Sequence, residues 1–313
     1  MIMSLLPRLT AEHFTSGEHL AALQGCTRAA ISKQIAQLLE LGVLIEARPR
    51  HGYRYRYPYR WWTAEDAAAL AQRLDIGATW LPEVDSTSEW LRRHQTEDVA
   101  LQLAFTDFQQ AGKGRRGRTW LSPPGRQFIL SAGCRSLHAP GRWLGVALAI
   151  GVSVAMVLRE AGWSVSLKWP NDLMLGDAKL GGILVEMDAL AEGPSHVIVG
   201  LGLNEALLDE ERQGLERAVA ALHDEKRSYR REALLEEIVR AICNVLRTYP
   251  ARGLAGYRDL WQQLDCLQGR QVRFQQAGDL HEGIADGIDE QGSLRVRTPS
   301  GVVACHSGEV VWQ

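Results

Sequence analysis

Nine consecutive residues, Gly112-Lys113-Gly114-Arg115-Arg116-Gly117-Arg118-Thr119-Trp120, place four cations among three glycines. The glycines spell G-x-G-x-x-G, the pattern of a dinucleotide-binding turn. That turn must open a helix, whose N-terminus takes the pyrophosphate. Here Ser122-Pro123-Pro124-Gly125 follows at once, and two prolines with a glycine forbid a helix running on from Gly117. Backbone amides would also need no such charge. The stretch instead reads as a cationic flap. Like charges repel and glycines are costly to fix, so it is expected to be disordered when empty and to order over an anion. The competing reading is a solvated basic turn.

Three further polar clusters interrupt apolar segments. They are Lys168-Trp169-Pro170-Asn171-Asp172, Lys179 with Gly181-Gly182, and Asn204. A lysine beside an apolar strand is usually a strand-end surface residue. A Gly-Gly pair weakens a strand unless something approaches its backbone closely. Together with a cationic flap, the clusters imply one pocket. It would offer cations for phosphate or carboxylate, amides for hydrogen bonds, and a carboxylate to assist a metal. No G-x-x-x-x-G-K-[ST], H-E-x-x-H, G-x-S-x-G or EF-hand loop occurs, which excludes the familiar nucleotide hydrolases, zincins and serine hydrolases.

The elements around these clusters read as a mixed α/β body. "ALQLAFTDF" is a strand entering the basic loop and "QFILSAGCR" a strand leaving it. Upstream, "WLPEVDSTSEWLRR" gives a strand, a turn at Asp85-Ser86-Thr87 and a helix. "LGVALAIGVSVAMVLREAG" is a long apolar core helix, "VSLKWPNDLMLGDAKLGGILVEM" is three strands with two turns, and "HVIVGLGLN" is another strand. After the amphipathic helix "REALLEEIVRAICNVLRTY", short strands with turns such as Asp289-Glu290-Gln291-Gly292 run to Gln313.

In front of the body, residues 16–57 read as helix, turn, helix and ribbon. Ser16 caps the first helix and Gly25-Cys26-Thr27 forms the turn. Ala30, Ile31, Ile35, Leu38, Leu39 and Leu41 carry the helical period of the second, which Gly42 closes. Val43-Leu44-Ile45 and Tyr53–Tyr57 are expected strands around a Pro49–Gly52 turn. This is a winged helix-turn-helix. Arg28, Ala29, Ser32 and Lys33 would lead the second helix into a major groove, and wing cations Arg48, Arg50, Arg54 and Arg56 would meet phosphates. Through Trp62 there are eight Lys/Arg and four Asp/Glu, a net of plus four, while the remainder is net minus six. A basic module on an acidic body favours DNA over a purely protein-binding winged helix. Thr63, with Asp66 three residues on, starts a further short helix.

The chain has 313 residues, 46% of them hydrophobic and 23% charged, enough for two or three domains. The N-terminus has no basic segment followed by a long apolar one, and no apolar run reaches about 20 residues, so a cytoplasmic protein with no membrane partner is expected. Five scattered cysteines without C-x-x-C suggest reduced thiols, with neither zinc ribbon nor disulfide framework.

"DSTS", "GKGRRGRTW", "KWPNDL", "KLGGILVE" and "GLGLN", in that order, resemble the motifs of biotin–protein ligases, and the winged helix in front resembles that of their bifunctional subclass, the biotin operon repressors. The resemblance implies an α+β protein of three parts. These are a DNA-binding winged helix over 1–62, a mixed α/β biotin/lipoyl-ligase-like catalytic domain over 63–265, and a small SH3-like β-barrel over 266–313. It implies an ATP-dependent biotin–[acetyl-CoA-carboxylase] ligase, which makes biotinyl-5′-adenylate and pyrophosphate and passes biotin to one lysine of a biotin carboxyl carrier protein. By motif match, Ser86, Thr87, Ser88 and Gln109 would hold the ureido head of biotin, and Lys113, Gly114 and Arg115 would close over biotin and phosphate. Lys179, with Arg115, would do the catalytic work at the biotin carboxylate and reacting phosphoryl group. Arg116, Arg118, Trp120, Lys168, Asn171 and Asn204 would face the adenylate and its phosphates, and Asp172 a Mg²⁺ ion.

As corepressor, biotinyl-adenylate would drive a homodimer onto two-fold operator DNA. The chain departs from the family pattern at Lys113, where arginine is usual, and at Ser88, where asparagine is usual. It departs again in residues 205–232, where the family's adenine-covering loop carries an aromatic and this chain has only Tyr229. A biotin-sensing repressor without ligase activity and a lipoate or octanoate transferase are the alternatives. Lys179 and the flap cations argue against the first, and the G-x-G-R-R-G-R flap against the second.

Overall fold

The computed structural model describes residues 2–94, 100–188, 195–215, 217–276 and 279–312. The N-terminal module opens with a 3-10 helix, Ile2–Arg8, that the sequence pattern did not announce. Its Leu5 and Leu6, with Met3 and Leu9, join a core of Leu20, Ile31, Ile35, Leu38 and Val43. Helix α1 (Gly17–Gln24) is capped by Ser16, whose side chain accepts from the His19 amide, and ends at Gly25 with φ 62°. Helix α2 (Arg28–Glu40) is capped by Thr27 accepting from the Ala30 amide.

Strands β1 (Ile45–Arg48) and β2 (Gly52–Tyr55) form the wing, with Ile45 opposite Tyr55. β1 starts two residues later than the apolar run suggested. Gly42 N donates to Leu39 O and Val43 N to Leu38 O, so Val43 belongs to the Schellman closure of α2. The exit aromatics bind the module to the rest of the chain. Tyr59 and Trp61 stack at 4.7 Å, and Trp62 enters the main core with its amide donating to Asp107.

Helix α3 (Ala64–Leu74) carries the expected Thr63/Asp66 capping box. A seven-stranded sheet then takes the order β3-β4-β5-β9-β8-β7-β6, every pair antiparallel except β3/β4. Its strands are β3 (Gly77–Leu81), β4 (Leu101–Thr106), β5 (Gln127–Ser136), β6 (Val165–Lys168), β7 (Asp172–Leu175), β8 (Ala178–Asp188) and β9 (Ser195–Asn204). Helix α4 (Thr87–Arg93) lies between β3 and β4 in the chain and covers one face, where Leu91 packs on Ala104 and Ile198. The alternate residues Leu103, Phe105, Val197 and Val199 point to the other face. There helix α5 (Val146–Glu160) and helix α7 (Arg231–Arg252) complete the core, as period-2 alternation requires.

The stretch Pro140–Glu160, 21 residues at a mean hydropathy of 1.8, is long and apolar enough to cross a membrane by length and composition. Here a 3-10 turn, Pro140–Trp143, precedes α5, which begins after Gly145, with φ 78°, and nine residues of α5 are buried against the sheet and α7. The five cysteines are free thiols.

Helix α6 (Asp209–Gln213) precedes α7, and helix α8 (Arg258–Leu264) follows it. The C-terminal strands β10 (Gln271–Gln276), β11 (Asp279–Ile288), β12 (Leu294–Thr298), β13 (Gly301–Cys305) and β14 (Val310–Trp312) form the small all-β module expected, in the order β13-β12-β11-β10-β14. Val272, Phe274, Val296 and Val310 share one continuous core with the central body.

Candidate active site

Cross-strand register creates a bare strip on the α4 face of the sheet. One row reads Ile129, Gly202, Gly182, Asp172, Lys168, and the next reads Ser131, Gly200, Leu184. Three of these eight positions are glycine, which leaves backbone where side chains would stand. Each glycine answers a close approach. A Cβ on Gly202 would lie 2.5 Å from the Trp120 ring, one on Gly200 3.1 Å from Ser88 Oγ, and one on Gly182 3.0 Å from Lys179 Nζ. The close approach expected at Gly181-Gly182 is therefore real, and at Gly181 it is the backbone oxygen of Gly202 at 2.8 Å.

Lys179 reaches this face because β8 bulges. Leu173 pairs with Gly181 while Met174 pairs with Lys179, so one extra residue lies on β8 and reverses the facing of Lys179. Its Nζ donates to Asp172 Oδ1 at 2.6 Å and is 5.4 Å from the Trp120 ring centroid. Burial pulls its pKa below the usual lysine range, opposed by Asp172. Lys168 sits 3.9 Å over the Trp312 ring, and burial lowers its pKa too.

The closed end of the cleft is lined by hydroxyls. Thr87 Oγ1 and Ser88 Oγ lie 2.7 and 2.9 Å from Ser131 Oγ, and all three residues are buried. Gln109 joins them because Val84 and Ala111 knit the two loops together, with Gln110 N donating to Val84 O and Ala111 N to Asp85 O. The Gln109 side chain donates to Ser122 at 3.3 Å.

The basic loop folds as a narrow hairpin over the mouth. Gly114 N donates to Arg118 O, Trp120 N donates to Gly112 O, and a 3-10 turn spans Arg115–Gly117. Arg116 there takes a left-handed φ of 57°, and Gly117 one of 72°. Arg115 Nη1 donates to Asn171 Oδ1 at 3.3 Å, and Asn171 in turn is held by Ile183 O at 2.6 Å. Arg118 forks onto Glu309 of the C-terminal module, which lowers that carboxyl's pKa, and Lys113 pairs with Glu89 of α4.

Every proposed ligase-site residue except Asn204 lines this one cleft: Ser86, Thr87, Ser88, Gln109, Lys113, Gly114, Arg115, Arg116, Arg118, Trp120, Lys168, Asn171, Asp172 and Lys179. Asn204 is a correction. It is buried at the end of β9, accepts from Gln127 at 2.8 Å and donates to Ala220 O at 3.0 Å, so it braces the wall. Asp172 lines the cleft and is bridged by Lys179 and, at 3.5 Å, by Arg217. Among the described residues no group of three His, Cys, Asp or Glu could hold a metal. Tyr229 does not face the cleft, for it donates to Glu205 and packs on Trp163.

Among the lining residues that escaped the sequence are Ser131, Glu309 and Arg217. Ser131 and Glu309 lie in ordinary strand and turn contexts, and Arg217 lies in the divergent segment. The motif "GLGLN" was the available hint for the glycine strip.

At the N-terminal module, Arg28, Ala29, Ser32, Lys33, Arg48 and Arg50 are exposed, Arg50 with φ 64° at the wing tip. Arg54 differs. It donates to Glu46 at 2.9 Å and lies 4.6 Å over the Phe14 ring, so it is partly spent inside the wing.

Comparison with known proteins agrees with these features. The profile "Biotin/lipoate A/B protein ligase family" matches residues 80–204, "Biotin protein ligase C terminal domain" 268–312, and "HTH domain" 3–54. The chain is 33% identical over 310 residues to the bifunctional ligase/repressor BirA of Escherichia coli (strain K12), covering 98% of this chain and 96% of that protein. It is 27% identical to the Bacillus subtilis (strain 168) protein of the same name, covering 95% and 93%. The structure resembles the biotin protein ligase from Aquifex aeolicus in complex with biotin and ATP, with a TM-score of 0.62 and 26% identity, covering 75% of this chain and 97% of that one. With its helix-turn-helix, ligase core and C-terminal module in this order, the chain belongs to the bifunctional ligase/repressor family of biotin protein ligases.

Proposed function

We propose that this chain joins biotin to ATP, transfers the biotinyl group to a lysine of a biotin carboxyl carrier protein, and represses transcription when loaded with biotinyl-5′-adenylate. The observation that carries the ligase reading is the polarity of the cleft. Hydroxyls, the side chains of Ile129 and Leu184 on the glycine strip, and a cluster of charge all line this one cleft. Seven cations (Lys113, Arg115, Arg116, Arg118, Lys168, Lys179 and Arg217) face two carboxylates, Asp172 and Glu309, a net of plus five. A neutral ring with donors and acceptors, an apolar tail and a polyanion are the shape of biotin beside ATP.

In this reading Ser86, Thr87, Ser88, Ser131 and Gln109 take the ureido ring. A biotin carboxylate oxygen attacks the α-phosphorus of ATP, the bond to pyrophosphate breaks, and a mixed anhydride forms. Both reactants are anions, so fixed cations must offset their repulsion. Lys179 and Arg115 do so without reorganising, since Asp172 and Asn171 already hold them. Lys113, Gly114, Arg116, Arg118 and Trp120 cover the product and exclude water. Lys168 and Asn171 complete the phosphate side.

Magnesium arrives with the triphosphate as substrate. A Mg²⁺ ion keeps waters and phosphate oxygens and asks for only one or two carboxylates, so Asp172 alone fits that demand. The carrier lysine then attacks the acyl carbon and AMP leaves.

Module boundaries at 62/63 and 265/266 suit this division of labour in the cytoplasm. The exposed face of α2 and the wing support operator binding by a homodimer. The test is biotin transfer to a carrier domain with ATP and Mg²⁺, for wild type and Lys179→Ala. Transfer should collapse in the variant. Wild type that binds biotin without transferring it would leave a sensor alone.

A further inference from the structure

Residues 217–220 close the divergent segment against the site. Where β9 ends, the chain returns beside β8: Lys179 N donates to Ala218 O at 2.9 Å and Ala220 N to Lys179 O at 2.8 Å. Two side chains brace it, Asn204 on Ala220 O at 3.0 Å and Arg212 on Val219 O at 2.7 Å. The segment is therefore fixed relative to Lys179, and Arg217 at its start lines the cleft. The guanidinium is 3.5 Å from Asp172 Oδ2, while Lys179 holds the other oxygen, so one carboxylate is shared between two cations. Lys179 is 10% exposed and Arg217 45%. At 3.5 Å, with its arginine half-exposed and its carboxylate already held by Lys179, this pair holds weakly. Arg217 is thus a preplaced cation with a loose partner, and its fork matches two phosphate oxygens where an ammonium offers a point charge.

We propose that Arg217 binds the β- and γ-phosphates of ATP, leaving Asp172 when the polyanion arrives and holding pyrophosphate as it departs. The inference rests on the ligase reading above. It gives the divergent segment a substrate contact of its own, reached from outside the basic loop.

The test compares wild type, Arg217→Ala and Arg217→Lys in two half-reactions. In biotin-dependent ATP–pyrophosphate exchange, the alanine variant should raise the KM for ATP and for pyrophosphate about tenfold, with biotin affinity unchanged, and lysine should recover part of the loss. Transfer from preformed biotinyl-adenylate to the carrier involves no pyrophosphate and should be unchanged. Values for ATP and pyrophosphate within twofold of wild type overturn the assignment. So does a matching loss in the transfer half-reaction, which would put Arg217 on the adenylate. Wild type that shows no exchange overturns the ligase reading and this inference with it.

Discussion

Arg126 immediately precedes β5, just after the basic loop, and is 1% exposed. Its Nη1 and Nη2 donate to Glu211 of α6 at 2.8 and 2.5 Å, Nη2 also reaches Gly42 O at 3.4 Å, and Nε has no hydrogen-bond partner. One guanidinium thus joins the sheet, the divergent segment and the turn that closes α2. Glu211→Ala leaves it buried with a single long bond. Removing one partner of a buried pair costs about 3–5 kcal/mol, because the other charge stays uncompensated. The Glu211 side chain is 19% exposed, so water entering its place sets the lower end, about 3 kcal/mol. For a body of this size that is a loss of about 6–12 °C in Tm.

Thermal and denaturant unfolding of the full chain measure it, in a cycle with Arg126→Met. In the methionine background no charge remains to strand, so Glu211→Ala should cost under about 1 kcal/mol there. Hydrogen exchange at residues 39–44 should quicken in Glu211→Ala. A single-variant cost below about 1 kcal/mol, or additive costs, would refute the buried-pair reasoning.

Gly202→Ala drives a Cβ into the Trp120 ring and should cost about 1–3 kcal/mol as overpacking. Because Trp120 anchors the return of the basic loop, biotin titration should also show affinity falling tenfold or more. Asp265 has its pKa pushed up to about 6 by burial, with only the Leu267 amide on one oxygen and none on the other. A raised carboxyl pKa gives stability that is whole below about pH 4 and lost as pH rises through 6. Asp265→Asn should therefore gain up to about 3 kcal/mol in unfolding at pH 8 and nothing at pH 4, and a loss at pH 8 would contradict the assignment. Replacing both Arg48 and Arg50 by alanine should weaken operator binding uniformly across sequences. It should reduce the slope of log affinity against log salt by about two, read from titrations at several salt concentrations.

What was legible from sequence was local. Caps at Ser16, Thr27 and Thr63, the turn glycines, and the switch from helical to alternating period each depend on neighbours within a few residues. The site lysine was legible as a type but not as a geometry. "KLGGILVE" offers Lys179 and Gly182 three residues apart, which an ordinary strand sends to opposite faces. Only the bulge opposite Leu173/Met174 brings them together, and a bulge is decided by two strands at once. Asn204 shows the reverse failure. Its motif position marked it for the ligand, yet its amide is consumed by Gln127 and Ala220. The two facts are connected: the residue the motif singles out holds the strand segment that carries Arg217. A pattern can therefore mark a wall whose work is to aim a side chain the pattern does not contain. Arg217 was invisible for that reason, since nothing within ten residues of it points to Asp172, and it becomes a site residue only because β9 stops one residue after Leu203 and leaves Lys179 a free edge to pair.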